Sequence, residues 1–140
     1  MTYMLGDEQN INSLKKNSKK KNRVLLVDDD PDTTRISKTA LERNGFEVQA
    51  FENPISALDN FKPGSYDLLL VDIKMREMDG FELYDEIRKI DNGINVCFLT
   101  AATEYYNKYK QRYTWLQKEC FITKPFSLKR LANTIKSILS

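Results

Sequence analysis

Four short apolar runs constrain this chain more than any other feature: Val24-Leu25-Leu26-Val27, Leu68-Leu69-Leu70-Val71, Val96-Cys97-Phe98-Leu99 and Phe121-Ile122-Thr123. Each is too short for a helix and too continuous for a strand with one wet face, so each reads as a strand covered on both sides. A fifth run, Phe46 to Phe51, alternates and reads as an edge strand. Helical spacing fills the gaps. Ile36, Ala40 and Leu41 share a face that stops at Asn44-Gly45. Ala57, Leu58 and Phe61 precede Pro63-Gly64, and Phe81, Leu83, Tyr84, Ile87 and Ile90 precede Asn92-Gly93. Tyr105, Tyr109, Tyr113 and Leu116 mark a fourth helix, and Leu128, Leu131, Ile135 and Ile138 a fifth with Ser127 as its N-cap. Five alternating strands and helices specify an α/β fold, a doubly wound (βα)5 three-layer sandwich around a parallel sheet. The compact solution is the flavodoxin-like strand order 2-1-3-4-5, whose ligands sit at the carboxyl ends of the strands.

The residues closing those strands carry the chemistry. Asp28-Asp29-Asp30 follows strand 1 and Asp72 follows strand 3; strand 4 ends in Thr100-Ala101-Ala102 and strand 5 in Lys124-Pro125. Strands 1 and 3 are neighbours in this order, so Asp28, Asp29 and Asp72 converge and repel one another unless a cation is present. A hard, oxygen-seeking ion that keeps several waters, Mg²⁺, suits such a set. Asp30 and Asp32 read instead as helix caps. Composition narrows the field further. Histidine is absent, which excludes Ser-His-Asp and Cys-His catalysis and any His-ligated metal, and two cysteines are too few for a structural zinc site. Cys97 and Cys120 lie inside apolar runs and read as reduced packing residues.

Taken together, Val24 to Pro31, Asp67 to Ile73, Met78-Asp79-Gly80, Leu99-Thr100-Ala101 and Phe121 to Phe126 resemble the receiver domains of two-component response regulators. The resemblance spans residues 23 to about 139. It implies a phosphoacceptor at Asp72, loaded from a phosphohistidine on a sensor histidine kinase or phosphotransfer protein. It implies Mg²⁺ on Asp28, Asp29, Asp72 and the backbone carbonyl of Lys74. Thr100 and Lys124 would contact the phosphoryl oxygens, and Phe121 would be the aromatic that turns inward on activation. Such a domain is not an enzyme beyond its own phosphoryl transfer and autodephosphorylation. The chain departs from the family pattern at Arg76, where a proline is usual, at Lys74, and in a Tyr- and Lys-rich fourth-helix region from Thr103 to Glu119.

Two other readings are distinguishable. A haloacid-dehalogenase-like phosphatase also uses a strand-end Asp, a Thr and a Lys, but it needs a late acidic motif, and no Asp or Glu follows Glu119. A pseudo-receiver that only binds would have lost Asp72, an acid-pair member or Lys124, and all are present. With one helix after Lys124, the expectation is a receiver domain over 23–140 with no output domain. It would work in the cytoplasm with no membrane span or direct DNA binding. Its docking face would be that of helix 4, strand 5 and helix 5, for a protein target or a second copy. That face is centred on Tyr105, Tyr106, Tyr109, Tyr113 and Trp115, with the 105/109/113/116 stripe partly serving the core.

Charge is uneven. Residues 1–22 hold five lysines against Asp7 and Glu8, a balance of +3 that leaves −1 for the rest of a chain whose net charge is +2. That Lys-rich leader has no apolar periodicity and reads as disordered. Deleting residues 1–20 is therefore expected to leave the urea midpoint within experimental error of the full chain; a marked drop would contradict this reading.

Overall fold

The computed structural model describes residues 20–140, so nearly all of the leader lies outside the described residues. The chain alternates β1 (Arg23–Val27), α1 (Pro31–Arg43), β2 (Glu47–Phe51), α2 (Pro54–Asp59), β3 (Leu68–Asp72), α3 (Gly80–Ile90), β4 (Asn95–Thr100), α4 (Tyr105–Arg112), a 3-10 turn (Lys118–Cys120), β5 (Phe121–Thr123) and α5 (Leu128–Leu139). All strand pairings are parallel, in the order β2-β1-β3-β4-β5. This is the doubly wound order expected from the alternation of runs.

Because side chains of a strand alternate between faces, each apolar run feeds two cores. Leu25, Val27, Leu69, Val71, Val96 and Phe98 pack under α2, α3 and α4. Val24, Leu26, Leu68, Leu70, Cys97, Leu99 and Ile122 pack under α1 and α5, against Leu41, Leu131 and Ile135. The two cysteines are free and buried, one in each core. Among the described residues no helix is long and apolar enough to cross a membrane.

Three expectations about helix faces are corrected. Ile36 is 46% exposed. The buried face of α1 runs through Thr34, Ser37, Ala40 and Leu41, because the Thr34 hydroxyl finds the carbonyls of Asp28 and Asp30 at 3.0 and 2.9 Å. A satisfied hydroxyl is buried at little cost, and the apolar pattern does not register it. Ile90, at the end of α3, is likewise exposed. The fourth helix ends at Arg112, short of Tyr113 and Leu116. There the chain turns inward to bury Tyr113, which stacks on Phe98 at 5.5 Å and reaches the Phe81 carbonyl and Asp85 with its hydroxyl.

The position of α3 depends on one glycine. A Cβ on Gly80 would lie 2.4 Å from the Asp72 carbonyl oxygen and 2.9 Å from the Ile73 Cα. Only a residue without a side chain lets the first turn of α3 sit against the end of β3, where the Gly80 N–H donates to the Ile73 carbonyl at 2.8 Å. Gly80→Ala is expected to lower the unfolding free energy by about 2 kcal/mol or more, since the obstacle is backbone and cannot swing away. Gly93→Ala, whose Cβ would meet nothing nearer than 3.7 Å, is the control and should be nearly neutral in urea unfolding.

Candidate functional site

The strand register assembles the site. Val27 pairs with Val71, Asp72 with Leu99, and Thr100 with Thr123. The residues that close these strands, Asp28, Asp72, Thr100 and Lys124, therefore stand in one row along the carboxyl edge of the sheet. Backbone bonds carry the pairing past the strand ends: Asp28 donates to Phe51, Ile73 to Leu99, and Lys124 to Thr100 at 2.7 Å.

Asp28 is fully buried, and Asp72 is 8% exposed. One cation serves both: Lys124 Nζ lies 3.0 Å from Asp28 Oδ2 and 3.5 Å from Asp72 Oδ2. Asp28 Oδ1 also accepts from the Asp30 N–H at 3.0 Å. Asp30 itself caps α1 by accepting from the Asp32 N–H, so its separation from the rim set holds. Thr100 is buried, with its hydroxyl oxygen accepting from the Ala102 N–H at 3.0 Å. Asp29 is half-buried and meets Arg76 across the loop.

Burial, and then the Asp28 carboxylate, push the Asp72 carboxyl up to about 6, although Lys124 pulls the other way. Burial alone would lower the Lys124 ammonium; Asp72 and Asp28 outweigh it and hold the ammonium above its usual range. The pocket thus has more negative charge than one lysine can balance.

One oxygen from each of Asp28, Asp29 and Asp72 can be chosen so that all lie within 4.8 Å of one another. An octahedral Mg²⁺ with bonds of about 2.1 Å spaces opposite ligands by about 4.2 Å, so the cluster needs little closure to hold one. An oxygen-only donor set with no histidine or thiolate fits that ion and not a softer one.

A family model of the response regulator receiver domain matches residues 24–136. The chain belongs to that family. Its relatives include the response regulator receiver protein CpdR of Brucella abortus, 36% identical over 118 residues that cover 84% of this chain and 96% of that one. A CpxR homolog from Haemophilus influenzae, a transcriptional regulatory protein, is 37% identical over 117 residues, again 84% of this chain but 50% of its own length. The chain thus spans nearly all of CpdR and about half of the transcriptional regulators it matches. Among solved structures, the non-phosphorylated HemR receiver domain of Leptospira biflexa has a TM-score of 0.76 at 28% identity, covering 86% of this chain and 95% of that one. TrrA of Thermotoga maritima, solved in complex with Mg²⁺-BeF, has a TM-score of 0.71 at 30% identity, covering 84% and 99%. Receiver domains are signalling modules rather than classic enzymes, and neither the phosphatase nor the pseudo-receiver reading is favoured.

Other residues singled out in the receiver sequence lie further from the acid pair or elsewhere. The Lys74 side chain is exposed and makes no ion pair among the described residues, so the ammonium in the pocket is that of Lys124. Phe121 is turned inward, 7% exposed, with the rings of Tyr106 and Tyr109 each 5.2 Å away. Tyr109 and Tyr113 are core residues. Trp115 is 57% exposed but lies off α4, edge-on to Tyr113 and 4.5 Å beneath the Arg88 guanidinium of α3. It therefore belongs to the α3 side of the molecule, not to the face it was expected to centre. Two contributors escaped the sequence reading as site-builders, Gly80 and the Asp79/Glu82 capping box that starts α3. The Asp-x-x-Glu spacing was the available signal for the second.

The raised Asp72 carboxyl has a stability consequence. Its folded value, about 6, lies above the usual 3.8, so the folded protein keeps a proton that the unfolded chain has released. That contribution is complete below about pH 4 and lost as pH rises through about 6, a difference of about 3 kcal/mol. In chelator, Asp72→Asn is expected to be about 2 kcal/mol more stable than the parent at pH 8, with the gap closing toward pH 4. A gap that is the same at both pH values in urea unfolding would contradict the assignment.

Proposed function

We propose that this receiver takes a phosphoryl group onto Asp72 from a phosphohistidine of a sensor histidine kinase or phosphotransfer protein. The single observation that carries this reading is the buried Asp28–Lys124–Asp72 arrangement beside Asp29 at the sheet's carboxyl edge. With a value of about 6, the Asp72 carboxyl is ionised at neutral pH and can act as nucleophile. Its oxygen attacks phosphorus while the P–N bond breaks and the electron pair departs on the imidazole, which takes a proton from solvent. The product is an acyl phosphate on Asp72.

In this reading Asp28, Asp29, Asp72 and the Lys74 carbonyl hold Mg²⁺. That ion supplies charge neutralisation for the phosphoryl oxygens when bound. Lys124, already tethered to Asp28, offers its ammonium to a phosphoryl oxygen, and Thr100 offers its hydroxyl proton by turning it from the Ala102 carbonyl, 3.5 Å away. Engagement of Thr100 at the end of β4 would be felt next door on β5, where Phe121 sits beneath Tyr106. We assign the output to the face of α4, β5 and α5, with Tyr105 and Tyr106 as its aromatic members, for capture of a protein target or a second copy.

Incubation with acetyl phosphate and Mg²⁺ should add one phosphoryl mass by intact-protein mass spectrometry, and Asp72→Asn should add none. Lys124→Met should retain the acceptor but label more slowly, on the order of 100-fold. Undiminished labelling of the Asp72→Asn protein would overturn the reading.

A further inference from the structure

The loop between β3 and α3 carries Arg76 at the position where the resemblance to receiver domains leads one to expect a proline. A proline there would have no N–H to donate. Arg76 has one, and it donates to Asp29 Oδ2 at 3.2 Å. The Arg76 Nε lies 4.0 Å from the same oxygen, on a side chain that is 89% exposed. One residue therefore meets one carboxylate oxygen with both its backbone and its charge.

The backbone half of this contact is fixed and the side-chain half is free to move. Asn53 Nδ2 donates to Glu77 Oε1 at 2.8 Å, bracing the loop against the start of α2. Glu77 takes a left-handed φ of 72°, the Met78 N–H donates to the Arg76 carbonyl, and Gly80 ties the far end to Ile73. The guanidinium, in contrast, stands in solvent with no other ion pair among the described residues. Lys124 is engaged with Asp28 and Asp72 and does not reach Asp29, so Arg76 is the one cation within 4.0 Å of Asp29 among the described residues.

We propose that Arg76 is a latch on Asp29: its N–H holds Oδ2, and its guanidinium supplies the counter-charge that a bound Mg²⁺ must displace. The proposal rests on reading the three carboxylates as a Mg²⁺ site. Two positive charges would compete for Asp29, so the protein binds Mg²⁺ more weakly than the same carboxylates would without the guanidinium. The need for Mg²⁺ would then be set by a residue that is not itself a metal ligand.

The test is calorimetric titration of the full 140-residue chain with MgCl₂ at low ionic strength, for the parent, Arg76→Gln and Arg76→Lys. Both substitutions keep the N–H and change only an exposed side chain; coincident urea midpoints without Mg²⁺ would check that the fold is kept. Arg76→Gln is expected to tighten Mg²⁺ binding by about three- to tenfold, and Arg76→Lys to stay near the parent. The difference should largely vanish at about 0.5 M salt, because an exposed charge is screened there. A purely structural role for Arg76 would show neither rescue by lysine nor salt dependence. If the parent binds Mg²⁺ and Arg76→Gln binds no more tightly, the latch is overturned while the metal reading stands. If none of the three proteins binds Mg²⁺, both fall.

Discussion

Everything at the working edge of this protein depends on how one ammonium is shared between two buried carboxylates. Asp28 and Asp72 close adjacent parallel strands in register, so the sheet forces them together, and Lys124 reaches across to both. Like charges held that close are costly in a low-dielectric pocket. Burial first, and then the Asp28 charge, keep the Asp72 carboxyl raised in spite of Lys124. A pocket with surplus negative charge, built from rigid strand ends, is preorganised for a cation.

The layer beneath α3 and α4 links that edge to the rest of the molecule. Phe98 of β4 is surrounded by Phe81, Tyr84, Tyr109 and Tyr113, with centroid distances from 5.0 to 5.8 Å. Tyr109 in turn packs on Phe121, and its hydroxyl bonds the Gln117 carbonyl ahead of β5. Close-packed aromatic contacts of this kind transmit small displacements instead of absorbing them. A shift at Thr100, the last residue of β4, thus has a packed route to β5 and α4. The opposite core, under α1 and α5, is mostly aliphatic, with Phe46 its buried ring, and carries none of this cluster.

The relatives place this chain in signalling without deciding its whole context. It spans almost the full length of one receiver protein and about half of several transcriptional regulators. What it shares with them is the receiver domain. Two contacts of this chain lie outside the strand-end set: Arg76 meets Asp29 in the loop after Asp72, and Arg88 covers Trp115.

The sequence by itself determined the sheet, its order and the identity of the rim residues, because a strand covered on both faces leaves an uninterrupted apolar run and its end is marked by the first polar residue. Periodicity of 3.6 likewise located all five helices. Tertiary structure decided what periodicity cannot see. Thr34 and Ser37 are buried while Ile36 faces solvent; the Thr34 hydroxyl is hydrogen-bonded and so buries well, and hydropathy takes no account of partners. Trp115 joined α3 instead of α4 because burying Tyr113 ended the helix early and brought the indole under Arg88. The meeting of Arg76 with Asp29, 47 residues apart, was likewise invisible in the chain. Its physical origin is the parallel pairing of β1 with β3, which brings two loops to the same edge and lets residues distant in sequence share one oxygen.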